Sequence, residues 1–100
     1  MNSFTDFLTA RRRGVVLQAL AASEPGVVVA AELLHKYCIA VGLRCTRATV
    51  DADVEWLGQR GLVQVGKTNG LLMTSITRDG NEVVKRLATV PGVDVSEDGA

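Results

Sequence analysis

Apolar positions recur at helical spacing near the start of the chain. Phe4, Phe7, Leu8, Val15, Val16, Ala19 and Leu20 fall side by side or three to four residues apart, the pattern of one helix face. Ser3 and Asp6 stand at its head with the spacing of a capping box, in which each side chain satisfies a free backbone donor of the first turn. This predicts a first helix to about Ala22, in which Gly14 marks either a close approach or a break. Ser23-Glu24-Pro25-Gly26 has the chemistry of a turn. Val27-Val28-Val29 is β-branched and reads as a very short strand or as the lead-in to the next helix. Leu33, Leu34, Tyr37, Cys38 and Val41 then share a helical face, predicting a second helix from about Ala30 to Val41, closed by Gly42.

The period changes after the next helix. Thr46 is a helix N-cap by type, and Val50, Val54 and Leu57 make an apolar stripe flanked by Trp56, up to a left-handed cap at Gly61. Leu62 to Val65 reads as a strand, Gly66-Lys67-Thr68-Asn69-Gly70 carries the Asn-Gly hairpin signal, and Leu71 to Thr77 returns. Thr77 then caps a last helix over which Val83, Val84 and Leu87 recur, until Pro91-Gly92 stops it. The expected fold class is mainly α with a small β-hairpin: a winged helix-turn-helix with a three-helix core, a β-wing and a C-terminal helix. The short Gly42-Leu43-Arg44-Cys45 link suits a helix-turn-helix. Residues 1–92 are expected to form the domain, and 93–100 an acidic tail with no packing pattern.

Composition adds limits. With 100 residues and four aromatic side chains, one core of Val, Leu, Ile and Ala is expected. No apolar run approaches the roughly 18 residues that span a bilayer. The first residues lack a basic and then apolar signal, so a cytoplasmic protein without membrane partners is expected. Cys38 and Cys45 are two cysteines in 100 residues, too few for a disulfide framework, and read as thiols. The net charge is zero, against the basic balance usual in nucleic-acid binders. Its distribution is uneven: residues 42–78 hold five basic and three acidic side chains, and residues 79–100 hold two and five.

Two local motifs carry a family likeness. Val54-Glu55-Trp56-Leu57-Gly58-Gln59-Arg60-Gly61-Leu62-Val63 resembles the end of a recognition helix entering the first wing strand in bacterial winged-helix regulators. Ile76-Thr77-Arg78-Asp79-Gly80 resembles the hydrophobic-Thr-x-x-Gly that closes the wing in those proteins. With the early Arg-Arg and Val90-Pro91-Gly92, residues 4–92 resemble a family of small proteins of Mu-like bacteriophages, related by fold to the arsenic repressors. The resemblance implies a phage transcriptional regulator. Metal-sensing arsenic repressors carry paired cysteines in the recognition helix; residues 47–60 hold none, so metal sensing does not carry over. Asp51 is a second departure, because the phage family is more basic there.

The candidate chemistry is DNA binding. Arg44, Arg47, Thr49, Lys67, Asn69 and Arg78 are the candidate DNA-binding residues: Arg47 and Thr49 toward bases or phosphates, and the others toward the backbone. Asp51, Asp53 and Glu55 lie on or beside the same surface and repel phosphates, which leaves a protein-contact face as the alternative. Arg11-Arg12-Arg13 reads as phosphate contact or, as the favoured reading, as surface charge or pairing with acids such as Asp6. His35 and Cys38 share helical spacing, yet no set of four metal ligands is present, and packing is the favoured reading. No catalytic motif, cofactor signature or small-molecule site is evident. The expected partners are double-stranded DNA and a second copy, paired through the first and last helices; the alternative is a protein partner.

Overall fold

The computed structural model describes residues 3–95 and shows a mixed α/β domain of four helices and a small antiparallel sheet. The elements are α1 (Phe4–Ala21), β1 (Val29–Ala30), α2 (Ala31–Ala40), α3 (Arg47–Gln59), β2 (Val63–Thr68), β3 (Leu71–Ile76) and α4 (Arg78–Val84). The arrangement is compatible with a small winged-helix domain. The sheet order is β1-β3-β2, so the short β1 covers the far edge of the hairpin. The core lies where the helices meet the sheet, around the fully buried Leu17, Val16, Val50, Val54, Leu57 and Cys38.

The helix starts follow their caps. The Ser3 Oγ accepts from the Asp6 N–H at 3.1 Å, and the Asp6 carboxylate accepts from the Ser3 N–H at 3.3 Å. Thr46 Oγ1 accepts from the Thr49 N–H, and Thr77 Oγ1 from the Gly80 N–H, each at 3.1 Å. The hairpin turns through Asn69 (φ 52°) and Gly70 (φ 80°), two left-handed residues that suit the strand twist. Thr68 pairs with Leu71 across this turn, and Val63 with Ile76 at the base.

Four expectations change. First, α2 buries Ala31, Leu34 and Cys38, while Leu33, Tyr37 and Val41 are about half exposed at 57%, 47% and 48%. Only Glu32, His35 and Lys36 make a polar sector on this helix, and apolar residues occupy the rest, so periodicity alone does not single out the inner face. Second, Phe4 and Phe7 stack on each other outside the core, with ring centroids 6.3 Å apart. Third, α4 ends at Val84 and not near Pro91, because Arg86 takes a left-handed conformation (φ 66°) and the Leu87 N–H returns to the Glu82 carbonyl. Fourth, packing continues past residue 92. Val93 and Val95 lie against the core, and the Asp94 N–H donates to the Ala10 carbonyl at 3.0 Å. The rest of the expected tail, 96–100, lies outside the described residues.

Gly14 is a close approach and not a break. A Cβ there would meet the Asp94 carbonyl oxygen at 1.8 Å, so the chain after Pro91 crosses α1 directly over it. Gly80 has the same role at α4, where a Cβ would meet the Leu62 carbonyl oxygen at 2.2 Å. Thr77 binds this junction twice more: its hydroxyl donates to the Gly61 carbonyl at 2.7 Å and its N–H to the Leu62 carbonyl at 3.1 Å. The Thr-x-x-Gly motif therefore ties α4 to the chain leaving α3.

Candidate nucleic-acid interface

The apolar stripe of α3 sets which of its charges face outward. Val50, Val54 and Leu57 are buried against the other elements, and Asp53 falls among them at helical spacing. Asp53 is accordingly 3% exposed. An isolated carboxylate at such a position is strongly unfavourable unless it is paired. Its partners come from α1. Arg12 Nε and Nη2 both donate to the Asp53 carboxylate, the latter at 3.3 Å, and Arg13 Nε donates to Oδ1 at 3.2 Å. Burial works against the charge on Arg12, but the hydrogen bond and the attraction of Asp53 outweigh it and raise its pKa. The reading of this arginine run as paired charge holds for Arg12 and Arg13, with Asp53 and not Asp6 as the acid.

Trp56 extends the junction by one turn. The guanidinium carbons of Arg13 and Arg60 each lie 3.8 Å from the centroid of a Trp56 ring, within cation–π range. Arg13 Nη1 also donates to the Gly92 carbonyl at 3.4 Å, and a Cβ on Gly92 would touch the indole at 3.0 Å. One aromatic side chain thus joins α1, α3 and the C-terminal crossing.

With Asp53 turned inward, the solvent face of α3 is the stripe Ala48, Ala52, Glu55 and Gln59. Its leading half is two methyl groups. Arg47 and Asp51 border it, both half-buried, and Arg47 Nε and Asp51 Oδ1 are each sequestered without a hydrogen-bond partner. A buried polar atom left in that state costs about 1–3 kcal/mol. The Thr49 hydroxyl is engaged with that of Thr46 at 2.8 Å.

The structure gathers some candidates and separates others. Arg44 is exposed in the turn entering α3, beside Arg47 and Thr49 in sequence. Lys67 and Asn69 are exposed at the hairpin tip. Arg78, with its side chain 90% exposed and 3.5 Å from Glu82, stands at the base of the hairpin near the end of α3. The six residues of β3 place it roughly 20 Å from the tip. It therefore joins neither group.

The α2–α3 turn is held from behind. His35 Nε2–H donates to the Cys45 carbonyl at 2.8 Å. Burial, then the neighbouring Cys45, pushes the Cys38 thiol up to about 11, and burial raises Cys45 as well. A thiol in that state is a packing group. Among the described residues no cluster of three or more His, Cys, Asp or Glu is placed to hold a metal. Nor is any helix among them long and apolar enough to cross a membrane.

Sequence reasoning missed the α1–α3 junction, although a signal was present. Val50, Asp53, Val54 and Leu57 are spaced 0, 3, 4 and 7, so an acid occupies one position of the buried stripe. That pattern calls for a cation on the facing element.

No family model matches the chain. It is similar to gp26 of Escherichia phage Mu, an uncharacterized protein, with 30% identity over 90 residues. The match covers 88% of this chain and 90% of that protein.

Proposed function

The chain belongs to the same family as gp26 of Escherichia phage Mu, and within that family we propose that it is a DNA-binding winged-helix protein acting in phage transcription. The observation that carries this reading is the inward, doubly paired Asp53. One of the three acids that opposed phosphate contact is neutral with respect to the outside. The leading half of the α3 face is left with Ala48 and Ala52, bordered by Arg47 and preceded by Arg44. Small side chains let a helix backbone come close to base edges, and a methyl group packs on the thymine methyl. In this reading α3 enters the major groove, Arg47 reaches a base or phosphate beside it, and Arg44 and Lys67 hold the backbone on either side. The rival reading, an acidic α3 docking on a basic protein, retains only Asp51 and Glu55.

The test is a fluorescence-anisotropy titration of duplex DNA at several salt concentrations. Neutralising three or four phosphates gives a log–log slope of about −3 to −4. Absence of affinity for any duplex at low salt overturns the proposal. Arg47→Ala is expected to weaken a preferred site by about 1–3 kcal/mol and random duplex by less. Equal loss on both reassigns Arg47 to the phosphates.

A further inference from the structure

The acid in the middle of the solvent face of α3 has no role within the protomer. Glu55 is exposed and lies one turn beyond Ala52 on the stripe Ala48, Ala52, Glu55 and Gln59. Among the described residues it makes no hydrogen bond or ion pair. Gly58 stands beside it: a Cβ there would meet the Val65 side chain at 2.8 Å, so β2 leans on α3 just past Glu55. Glu55 and Gln59 line the open groove that starts at this contact. We propose that Glu55 is the base-selecting residue of α3, an inference that rests on the DNA-binding reading above: its carboxylate accepts a hydrogen bond from the N4 amino group of a cytosine in the major groove.

The chemistry of the side chain names the base. An ionised carboxylate is an acceptor only. Phosphates repel it, so in a docked α3 its place is the groove floor, toward which Ala48 and Ala52 of the same stripe point. The base edges there present acceptors at guanine N7 and O6, thymine O4 and adenine N7, and donors at cytosine N4 and adenine N6 alone. Adenine sets N7 beside N6, so a carboxylate that meets its donor also faces an acceptor. Cytosine presents the donor without the acceptor. Glu55 thus selects by repulsion as well as by bonding, because guanine or thymine leaves a desolvated carboxylate against an acceptor. The same charge lowers affinity for every duplex.

Spacing adds position. Glu55 is seven residues beyond Ala48, about 10 Å along the helix axis. That is about three base pairs at a rise of roughly 3.4 Å. A thymine under Ala48 and a cytosine about three base pairs away are the two marks of the site.

The test is selection by the full chain, at low salt, from a library of duplexes with a randomised central segment. Anisotropy titrations of the selected site, its single-base variants and random duplex follow. The protein should select cytosine at one position and lose about 10-fold in affinity when that pair is replaced. Glu55→Ala should lose the preference at that position alone, and should bind random duplex about 2–5-fold more tightly because a repelling charge is gone. Glu55→Gln should move the preference to adenine, which an amide meets with a donor and an acceptor together. If circular dichroism shows that Glu55→Ala does not fold, Glu55→Gln, nearly identical in shape, decides by the same readout. A residue that merely repels DNA gives a different result: both substitutions tighten binding to all duplexes alike, and the selected base stays the same. That result overturns the role of Glu55 and leaves DNA binding standing. Absence of any selected or bound duplex at low salt overturns both.

Discussion

Asp51 and Asp53 lie within one turn of α3, and their surroundings have almost nothing in common. Asp53 points into the α1 junction, where two guanidiniums share its carboxylate and a tryptophan closes the group. Asp51 borders the leading end of the same helix, beside Arg47 and two exposed alanines, and ends in an oxygen with no hydrogen-bond partner. The first region uses charge to fix one helix against another. The second leaves charge unspent at a surface. A count of acids on α3 treats the two alike, and that count is what made the helix look hostile to phosphate.

The largest effect should separate these two acids. Asp53→Ala leaves the largely buried Arg12 without its carboxylate acceptor and Arg13 with only the Gly92 carbonyl. Breaking a buried pair from one side costs about 3–5 kcal/mol. Asp51→Ala removes a half-buried carboxylate with one unbonded oxygen and should raise stability, by up to about 1–3 kcal/mol. Urea denaturation of both variants checks this. Equal losses would mean that the junction is no more structural than the leading end.

Second is a pH effect on the thiol behind the α2–α3 turn. Cys38 rises from a usual value of 9 to about 11 on folding, chiefly through burial. The folded state therefore holds the proton more tightly than the unfolded state. Stability from this group is complete below pH 9 and is lost as pH rises from 9 to 11, by an amount on the order of 2 kcal/mol. Cys38→Ala should start lower, because it leaves a cavity, and should lose less across that window. Thermal melts from pH 8 to pH 11 on both proteins measure the difference. Parallel curves would remove the thiol from the account.

Legibility followed the range of the interactions. Ser3, Thr46 and Thr77 bond within three residues, and the Asn69-Gly70 turn joins adjacent strands, so each was readable locally. Of the candidate interface, Arg44 and Lys67 are exposed beside a helix start and at a turn tip, as a local reading expects, whereas Arg47 is half-buried, which its place in the sequence does not reveal. The inward half was not readable locally. Arg12 and Asp53 are 41 residues apart, and only the acid's place within the apolar stripe hinted at their meeting. The inner face of α2 was ambiguous because apolar residues flank it, and small Ala31 is as fully buried as large Leu34. Two valines after Gly92 make no period at all; what seats them is the missing side chain of Gly14, far away in sequence.

That seat gives the third prediction. Gly14→Ala puts a methyl group where the Asp94 carbonyl lies, 1.8 Å away, and the obstacle is backbone. The crossing must lift, with a loss of about 1–3 kcal/mol despite the gain in helix propensity. Because Gly92 rests on Trp56, lifting it should also alter tryptophan fluorescence. A stabilised variant with unchanged fluorescence would show that the crossing does not belong to the junction.

The smallest effects draw the boundary most finely. Arg60 and Lys67 are both exposed cations, one at the end of α3 and one near the hairpin tip. Arg60 lies on Trp56 and belongs to the junction by contact. Arg60→Ala should lower stability by about 0.5–1 kcal/mol, the worth of an exposed cation–π pair, and leave the salt dependence of the proposed DNA binding unchanged. Lys67→Ala should do the reverse: stability constant, binding weaker on every sequence, and the log–log salt slope smaller by about 1. If Arg60→Ala reduces the salt slope as much as Lys67→Ala does, the arginine over the tryptophan reaches DNA too. The junction and the reading surface would then be one continuous region, with Trp56 serving to hold a phosphate contact in place.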